Sequence, residues 1–395
     1  MENEFCIMKN AIETDVVIVG AGLVGLSAVV AFAKQGKSVT LVDAKVRMAN
    51  KSADWDARIY AISTESETWL KELGVWAYVD ESRVCAIDTM HLWHASEELV
   101  LSSSDAHLPK LGVIIESQNL MYALWQQINI LDVNVITEVN CVQLTHSLSK
   151  INLFLDNNQK VNADLLIAAD GVNSWVRNQL NIAVQFKDFN QTAIVGNFIS
   201  LKPHQNCAKQ WFSSHETLAL LPLVGQNLSL VWSLPTKRAS ELLKLSHDEL
   251  SHEVAKHSKF SPGDFKLIGD VFAFKLSQQT ALTTTAERIV LIGDAAHQVH
   301  PMAGQGVNLG FRDVMELTSL ATKLHVMQDL GDESYLHRYA RARKPDTISM
   351  NVLTSGLDSL FASNNKFVKQ FTNWGFRQLN RQVNVKKLLI QQVAV

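Results

Sequence analysis

The sequence is poor in cysteine, and the four that it has, Cys6, Cys85, Cys141 and Cys207, are far apart. None of them forms a C-x-x-C pair, which excludes a redox-active dithiol of the disulfide-reductase kind and offers no metal site. Isolated thiols of this kind are typical of a reducing compartment, where they are buried or unreactive. We therefore expect ordinary thiols and no metal centre.

The chain also lacks a strong excess of charge of either sign. Its formal net charge is −3, and charged residues make up 19% of it. A chain without a basic excess is a poor partner for nucleic acid, so we expect none. Hydrophobic residues make up 47%, which indicates a globular protein rather than a disordered or fibrous one.

Long hydrophobic runs are missing as well. Residues 16–33 resemble the core of a signal peptide, but Glu13, Asp15 and the glycines of the segment contradict this reading. No other stretch is long and apolar enough to span a bilayer. We therefore expect a cytoplasmic protein, or one that is peripheral on the inner face of the cytoplasmic membrane.

A glycine-rich turn follows the first apolar strand. Residues 15–19 predict the strand, residues 20–25 read GAGLVG, and a helix and a second strand follow. In a G-x-G-x-x-G turn the glycines allow a tight turn, a close approach of a pyrophosphate, and helix packing on the strand. Asp43 ends the second strand, where an acid accepts a hydrogen bond from a ribose hydroxyl. This unit predicts a dinucleotide site and leaves NAD and FAD both open.

The most informative stretch covers residues 288–313, RIVLIGDAAHQVHPMAGQGVNLGFRD. A buried strand at 289–292 ends in Gly293-Asp294, which puts a carboxylate at the carboxyl end of a strand. A glycine-containing loop then leads into a helix that begins near Val307. A helix N-terminus presents free N–H groups and the positive end of a dipole, which suits an anionic ligand. His297 and His300 lie too far from any further ligand to indicate a metal, and we interpret them as residues that order the loop.

Three further positions are candidates for the same site. Arg58 lies in DWDARIYAIS, residues 54–63, although a surface arginine would explain it too. Gln118 opens a predicted helix, where a solvent-facing amide explains it nearly as well. Asp170, in the segment DGVNSWVR, follows another buried strand and precedes a helix start.

Taken together, these segments resemble the group A flavoprotein monooxygenases, in particular the hydroxylases of ubiquinone biosynthesis. The resemblance covers nearly the whole chain, with G-x-G-x-x-G, D-x-R-x-x-A-I-S, A-D-G and G-D-A-A-H…P-x-x-G-Q-G-x-N in the family order. It implies a para-hydroxybenzoate-hydroxylase-like fold, bound FAD, and NAD(P)H as a transient co-substrate. Because only one nucleotide-binding glycine turn is present, no second Rossmann domain holds the nicotinamide.

The resemblance also implies a reaction and a set of site residues. A flavin C4a-hydroperoxide formed with O₂ would hydroxylate a polyprenylated phenol, whose own hydroxyl activates the ring, so we assign no catalytic base. His300, Pro301, Gly304 and Gln305 would form a loop beside the flavin. The expected FAD-binding residues are Gly20, Ala21, Gly22, Leu23, Val24, Gly25, Asp43, Ala44, Arg58, Gln118, Asp170, Gly293, Asp294, Pro301, Gly304, Gln305, Gly306, Val307 and Asn308.

The predicted fold is α/β: a Rossmann-like FAD-binding domain of the glutathione-reductase type, an antiparallel-sheet substrate domain and a helical C-terminus. The FAD-binding domain would comprise residues 1–75, 106–183 and 277–345, the substrate domain 76–105 and 184–276, and the tail 346–395. We expect one amphipathic helix at 240–256 and a capping box that begins at Thr64. Trp211, Phe212 and Trp232 would either line an apolar pocket or, as we favour, fill a core.

The tail from residue 364 onward combines basic residues with large aromatic ones. Such a composition is typical of a helix that lies on anionic lipid or on a partner protein, although a helix docked on the FAD domain remains open. We therefore expect contact with a membrane or with a quinone-biosynthesis complex. Alternative functions are a non-catalytic flavin-binding scaffold of such a complex and a monooxygenase for another aromatic substrate.

Overall fold

The structure is a computed structural model. It describes residues 11–46, 54–213, 215–260, 264–299, 306–325 and 328–362, together with Gly375, Gln382, Lys386, Lys387 and Ile390. The helices are α1 Leu23–Lys34, α2 Thr64–Glu72, α3 Ser117–Asn129, α4 Trp175–Gln179, α5 Thr236–Leu242, α6 His247–His257, α7 Gly306–Ala321 and α8 Glu333–Ala362.

The strands form three sheets among the described residues. They are β1 Ile12–Val19, β2 Val39–Val42, β3 Ile59–Ser63, β4 Cys85–Ile87, β5 Thr89–His94, β6 Glu97–Ser102, β7 Gly112–Glu116, β8 Val133–Ile136, β9 Cys141–His146, β10 Ile151–Leu155, β11 Lys160–Ala168, β12 Val184–Ser200, β13 Cys207–Ser213, β14 Glu216–Pro222, β15 Asn227–Pro235, β16 Phe265–Ala281, β17 Thr285–Ala286, β18 Ile289–Leu291 and β19 His297–Gln298.

The first sheet has a parallel centre in the order β18-β11-β1-β2-β8, with β17 antiparallel at one edge and the β9–β10 hairpin against β11. Its central strands β18, β11, β1 and β2 are buried on both faces. Val16 and Ile18 of β1 pack towards α1, α3 and α7, whereas Val17 and Val19 face the hairpin side. This burial explains why β1 is a continuous apolar run rather than an alternating one.

The second sheet has the order β19-β16-β12-β15-β14-β13-β5-β6 and is antiparallel except between β13 and β5. Its strands alternate, because only one face packs against α5 and α6. The third sheet has the order β3-β7-β4, and both of its strand pairs are antiparallel. This mixture of a parallel sheet with helices and an antiparallel sheet confirms the predicted fold class.

The domain division stays a prediction, but the pairing of strands bears on it. The strands β5 and β6, from the predicted segment 76–105, join the strands of 184–276 in the second sheet. Two predicted boundaries fall inside elements, since β16 continues to Ala281 and α8 runs through position 345. Within the described residues, none of the helices is long and apolar enough to cross a bilayer.

Two local predictions are wrong, each because of a helix cap. The single helix expected at 240–256 is two helices, since Ser246 and Glu249 form a capping box that starts α6. The cap of α2 is Ser63 rather than Thr64, and its hydroxyl accepts a hydrogen bond from the N–H of Ser66. A capping serine can thus decide where a helix begins, even where the hydrophobic periodicity of the residues around it predicts a different start.

The contact between α1 and α7 depends on a glycine. A methyl group at Gly310 would overlap with Cγ2 of Val24, a β-branched side chain with little rotamer freedom in a helix. We predict that Gly310→Ala lowers the free energy of unfolding by about 1–3 kcal/mol, through overpacking, despite the better helix propensity of alanine. Chemical denaturation measures this effect.

Gly356 in α8 is the matched control, because among the described residues a methyl group there meets no atom within 4 Å. Gly356→Ala should therefore leave the stability unchanged or raise it by up to about 1 kcal/mol. Adding Val24→Ala to Gly310→Ala should restore most of the loss. A Gly310→Ala protein as stable as the parent would refute the close packing.

Candidate functional site

The carboxyl ends of the parallel strands meet at one edge of the first sheet. Gly20 follows β1, Asp43 follows β2, Asp170 follows β11 and Asp294 follows β18. All four residues line one cavity of about 2100 Å³. This is the edge at which open α/β sheets bind ligands, and the topology therefore brings the separate sequence motifs together.

The glycines of the first turn differ in what surrounds them. Gly20 has φ of +109°, and a side chain there would overlap with the carbonyl oxygen of Ala169. A side chain at Gly25 would overlap with the carbonyl oxygen of Gly20. A methyl group at Gly22, in contrast, meets nothing within 4 Å, and Gly22 lines the cavity. The backbone at Gly22 is thus open to a ligand, which fits the pyrophosphate of a dinucleotide.

The carboxylate of Asp43 holds the glycine turn. Its Oδ2 accepts a hydrogen bond from the N–H of Ala21 at 2.6 Å, and its Oδ1 accepts one from the N–H of Lys45 at 2.7 Å. Each oxygen keeps a second lone pair, so the carboxylate can also accept from a ribose hydroxyl. Asp43, Ala44 and the turn residues Ala21, Leu23 and Val24 all line the cavity.

Asp170 supplies a buried acceptor to the cavity. Its Oδ2 accepts a hydrogen bond from the N–H of Val176 at 3.1 Å, whereas its Oδ1 is buried without a partner among the described residues. Burial raises the pKa of this carboxyl group, and the hydrogen bonds from Ser174 and the backbone act in the opposite direction. A ligand hydroxyl or N–H would satisfy the free oxygen.

Arg177, in the same segment, connects two of the motifs. Its guanidinium donates to the carbonyl of Val172 at 2.7 Å and to that of Ala295 at 2.9 Å. The turn after β11 is therefore tied to the turn after β18. The sequence analysis included Arg177 in the segment DGVNSWVR but assigned it no role.

Asp294 lies in a short 3-10 turn and projects into the cavity. Protein surrounds its carboxyl group on the other sides, and this burial raises its pKa, against the charges of His297 and Arg58. The guanidinium of Arg58 also lines the cavity and lies 5.7 Å from the ring centre of Phe274 in β16. Arg58 thus lies between the strand-end motifs of the first sheet and the second sheet.

Gln118 is placed differently from the expected cofactor contact. Its side-chain amide donates to the carbonyl of Asp54 at 3.0 Å, and its N–H donates to Oδ2 of Asp56 at 3.1 Å. It does not line the cavity. These contacts hold the segment that carries Arg58, so the geometry gives Gln118 a positioning role, and direct contact with the cofactor stays a prediction.

A buried ion pair supports the same segment. Glu116 is fully buried and forms a bidentate pair with Arg83, with distances of 2.6 and 2.7 Å. It also accepts a hydrogen bond from the N–H of Asp56 at 2.7 Å, and the guanidinium of Arg83 lies 4.4 Å from the ring centre of Trp55. The sequence analysis missed this pair, because the two residues are distant in the chain and belong to no motif.

The first residues of α7 have two different roles. Gly306 and Val307 line the cavity. Asn308 instead ties α7 to β3, since its amide donates to the carbonyl of Ala61 at 2.9 Å and accepts from the N–H of Ser63 at 3.1 Å. The predicted residues His300, Pro301, Gly304 and Gln305 lie outside the described residues.

A fully buried carboxylate, Asp313, joins the second motif to α8. Its Oδ2 accepts from the N–H of Gly293 at 2.9 Å and from Nε2 of His297 at 2.6 Å. Its Oδ1 accepts from Nε of Arg343 at 2.8 Å. Burial favours the neutral acid, but the two cations and their hydrogen bonds hold the pKa of Asp313 below its usual value. The sequence analysis missed Arg343, for which the only signal was a charged residue in a helix that packs on the core.

The second sheet closes the cavity from the other side. Phe212 lines it, whereas Trp232 is fully buried in the core beneath the sheet, and Trp211 stacks on Trp93 with ring centres 4.7 Å apart. The core reading thus holds for Trp232, and Phe212 fits both readings because it is buried in an apolar cluster and also lines the cavity. Trp211 and Phe212 face opposite sides of the sheet, because neighbouring residues alternate along β13.

The pair of His297 and Asp313 predicts a pH dependence of stability. Burial lowers the pKa of His297, but Asp313 more than compensates, and the net pKa is raised. A raised pKa in the folded state stabilises the protein fully below the unfolded-state pKa of about 6.5, and this stabilisation is lost as the pH rises through the folded-state pKa. We therefore predict that His297→Gln costs most stability in mild acid and progressively less at higher pH.

Unfolding measured at several pH values tests this prediction, with His337→Gln as the control. His337 is exposed on α8, and its side chain lies 3.7 Å from Glu333. The control should show a small difference from the parent at every pH. A His297→Gln difference that does not change with pH would show that the imidazole is not charged in the folded protein.

Comparisons with known proteins agree with this geometry. A family described as FAD binding domain matches residues 13–351. The chain is 31% identical over 358 residues to 3-demethoxyubiquinol 3-hydroxylase of Escherichia coli, covering 89% of this chain and 90% of that protein. It is 29% identical over 380 residues to the ubiquinone hydroxylase UbiL of Rhodospirillum rubrum, covering 95% and 88%.

Among solved structures, p-nitrophenol 4-monooxygenase PnpA from Pseudomonas putida shares the fold, with a TM-score of 0.78 at 15% identity over 98% of this chain and 99% of that one. The family match covers most of the chain and includes every described strand-end motif of the cavity. FAD as the cofactor, expected from the sequence, is thereby confirmed. The chain belongs to the FAD-binding family of group A flavoprotein monooxygenases, in the branch of the ubiquinone-biosynthesis hydroxylases.

Proposed function

We propose that this protein hydroxylates the aromatic ring of a polyprenylated phenol on the route to ubiquinone. One oxygen atom of O₂ enters a ring C–H bond, the other leaves as water, and NAD(P)H with one proton supplies the reducing equivalents. The observation that carries the proposal is the single cavity that joins the FAD-binding edge to an apolar sheet face. The hydroxylase names of the relatives support the same reaction.

FAD, when bound, supplies the redox chemistry: it accepts a hydride from NAD(P)H and activates O₂. The residues of this chain bind and orient it. The open backbone at Gly22 and the N-terminus of α1 would take the pyrophosphate, and Asp43 the adenosine ribose. Asp294 would accept from the ribityl chain, and the start of α7 would face the pyrimidine edge.

No side-chain nucleophile is needed for this reaction. The hydroxyl group of a phenol donates electron density to its ortho and para carbons, so the ring itself is the nucleophile. The protein contributes a cavity that holds the ring and excludes water. The predicted roles of His300, Pro301, Gly304 and Gln305 beside the flavin stay predictions.

Quinone profiling by mass spectrometry of a strain that lacks the gene tests the proposal. We expect a prenylated phenol to accumulate, and the parent protein to restore the hydroxylated product. Asp43→Ala should rescue poorly, because loss of a charge-assisted hydrogen bond of about 1.5–3 kcal/mol weakens FAD roughly tenfold to a hundredfold. Gly356→Ala is the control and should rescue fully.

Assays on the purified protein distinguish the alternatives. A purified protein that holds FAD but oxidises no NAD(P)H with any quinone precursor would identify a non-catalytic scaffold of a biosynthetic complex. Turnover with unprenylated aromatic compounds, and none with prenylated phenols, would identify a monooxygenase for another substrate.

We also propose that the tail contacts an anionic membrane surface or a partner of the quinone-biosynthesis complex. Support comes from the basic and aromatic residues of 364–395. Two described residues of the tail pack on the protein itself, since Lys386 lies 3.4 Å from Asp105 and Ile390 is fully buried. One end of the tail is therefore anchored near β6, and the contact with lipid or partner falls to its other residues.

Truncation after Ser363 tests the tail. We predict that the shortened protein keeps FAD but no longer co-sediments with anionic vesicles, because each basic residue near such a surface contributes about 1 kcal/mol. Raised salt should release the full-length protein in the same assay. Loss of FAD or of folding on truncation would instead make the tail a structural element.

A further inference from the structure

The face of the second sheet that borders the cavity is here called the cavity wall. Its residue types change from strand to strand across the sheet. On β14 the cavity-facing residues are Thr217, Ala219 and Leu221, whereas Leu218 and Leu220 pack into the core. On β5, β6, β12, β13 and β15 its members are Met90, Leu92, Leu99, Leu101, Ala193, Val195, Gln210, Phe212, Val231 and Ser233. The strands β16 and β19 contribute Phe274, Lys275, Leu276, Ser277 and Gln298.

The strand register arranges the cavity wall in rows across the sheet. In one row Ala193 is paired with Ser233, and Ser233 with Thr217. In the next row Val231 is paired with Ala219, Ala219 with Gln210, Gln210 with Leu92 and Leu92 with Leu99. The small or polar side chains of Ala193, Ser233, Thr217 and Ala219 therefore lie on β12, β15 and β14, together with Val195, Val231 and Leu221. The strands β5 and β6 present the large apolar side chains of Met90, Leu92, Leu99 and Leu101.

The small, polar part of the cavity wall is the part near the cofactor edge. Phe274 of β16, over which Arg58 lies, is paired with Ala193 of β12. The aliphatic part lies at the far edge of the sheet, in the cluster that also holds Phe212 and Ile390. From β15 to β6 there are four strand spacings of about 4.8 Å, or about 19 Å in all. The cavity thus has a polar inner end and a long apolar arm.

The polar groups of the cavity wall include the hydroxyls of Thr217 and Ser233, which neighbour each other across β14 and β15, and the amide of Gln210. A phenol hydroxyl can hydrogen-bond to side-chain hydroxyls. The pair of hydroxyls is therefore suited to hold the ring hydroxyl of the substrate.

We propose that the cavity wall orients a phenol ring that carries one long apolar substituent. The ring hydroxyl binds at Thr217 and Ser233, and the isoprenoid chain crosses β14, β13, β5 and β6 over Ala219, past Gln210, and over Leu92 and Leu99. This inference rests on the proposed function and adds to it the orientation of the substrate and the residues that determine chain selectivity. Ala219 is the critical position, because its small side chain leaves the path between the ring and the aliphatic arm open.

Ala219→Phe tests the path, because its ring would occupy the cavity rather than the core. The measured quantity is the ratio of kcat/KM for ortho-farnesylphenol to kcat/KM for ortho-cresol, which lacks the chain. We expect this ratio to fall about tenfold or more, as is usual when a pocket rejects apolar groups on steric grounds. Ala219→Leu should show a smaller fall, and it replaces the phenylalanine variant if that protein does not fold.

The matched control is Ala273→Phe. Ala273 lies in β16, is exposed and does not line the cavity, so the same substitution there should leave the ratio at the parent value. Equal ratios in Ala219→Phe, Ala273→Phe and the parent would overturn the proposed chain path. A fall in both variants would also overturn it, since the effect would not be specific to the cavity wall.

Binding without turnover separates this inference from the proposed function. Dissociation constants from the change in flavin absorbance should show the same loss of preference for ortho-farnesylphenol in Ala219→Phe. If the parent binds both phenols but hydroxylates neither, the proposed function fails while the chain path stands. If the parent hydroxylates both and binds them equally, the chain path fails alone.

Discussion

One buried carboxylate, that of Asp313, fixes the geometry on which the cofactor edge depends. It lies in α7, yet it holds the N–H of Gly293 after β18, the imidazole of His297 and the guanidinium of Arg343 in α8. Removing one member of such a group would leave a buried charge without its partner, which costs far more than a surface ion pair contributes. The turn that presents Asp294 is therefore held in place by a buried network of charged side chains.

Charged side chains also hold loops on the other side of the cavity. Glu116 and Arg83 hold the backbone of the segment before Arg58, and Arg177 ties the turns after β11 and β18 together. In each case a charged side chain hydrogen-bonds to backbone groups of a loop that has no regular structure to fix it. The residues exposed to the cavity are thereby kept in place before a ligand arrives, which lowers the cost of binding.

The fold class and a dinucleotide site were predictable, because the glycine turn and the strand-end acids carry local rules that short segments obey alone. The cofactor and the family followed from the resemblance of four segments, in their order along the chain, to a known family. The roles of Asn308 and Gln118 were not, since an amide at a helix start serves a ligand or a neighbouring loop equally well. Ser246 illustrates the opposite case: the Ser-x-x-Glu pattern was readable, but the hydrophobic periodicity on both sides suggested one helix. Pairs such as Glu116 with Arg83 need the tertiary fold to bring them together.

The three glycines of the first turn are under different constraints, and they should therefore tolerate substitution differently during evolution. Gly20 and Gly25 face backbone atoms of the protein itself, so any descendant that keeps the fold must keep them. Gly22 faces only the cavity, and nothing within the protein demands it. In a homologue that no longer binds the cofactor, Gly22 could be substituted before the other two glycines. The residue at this position therefore distinguishes a cofactor-binding flavoprotein from a homologue that has lost the cofactor. This chain retains the glycine.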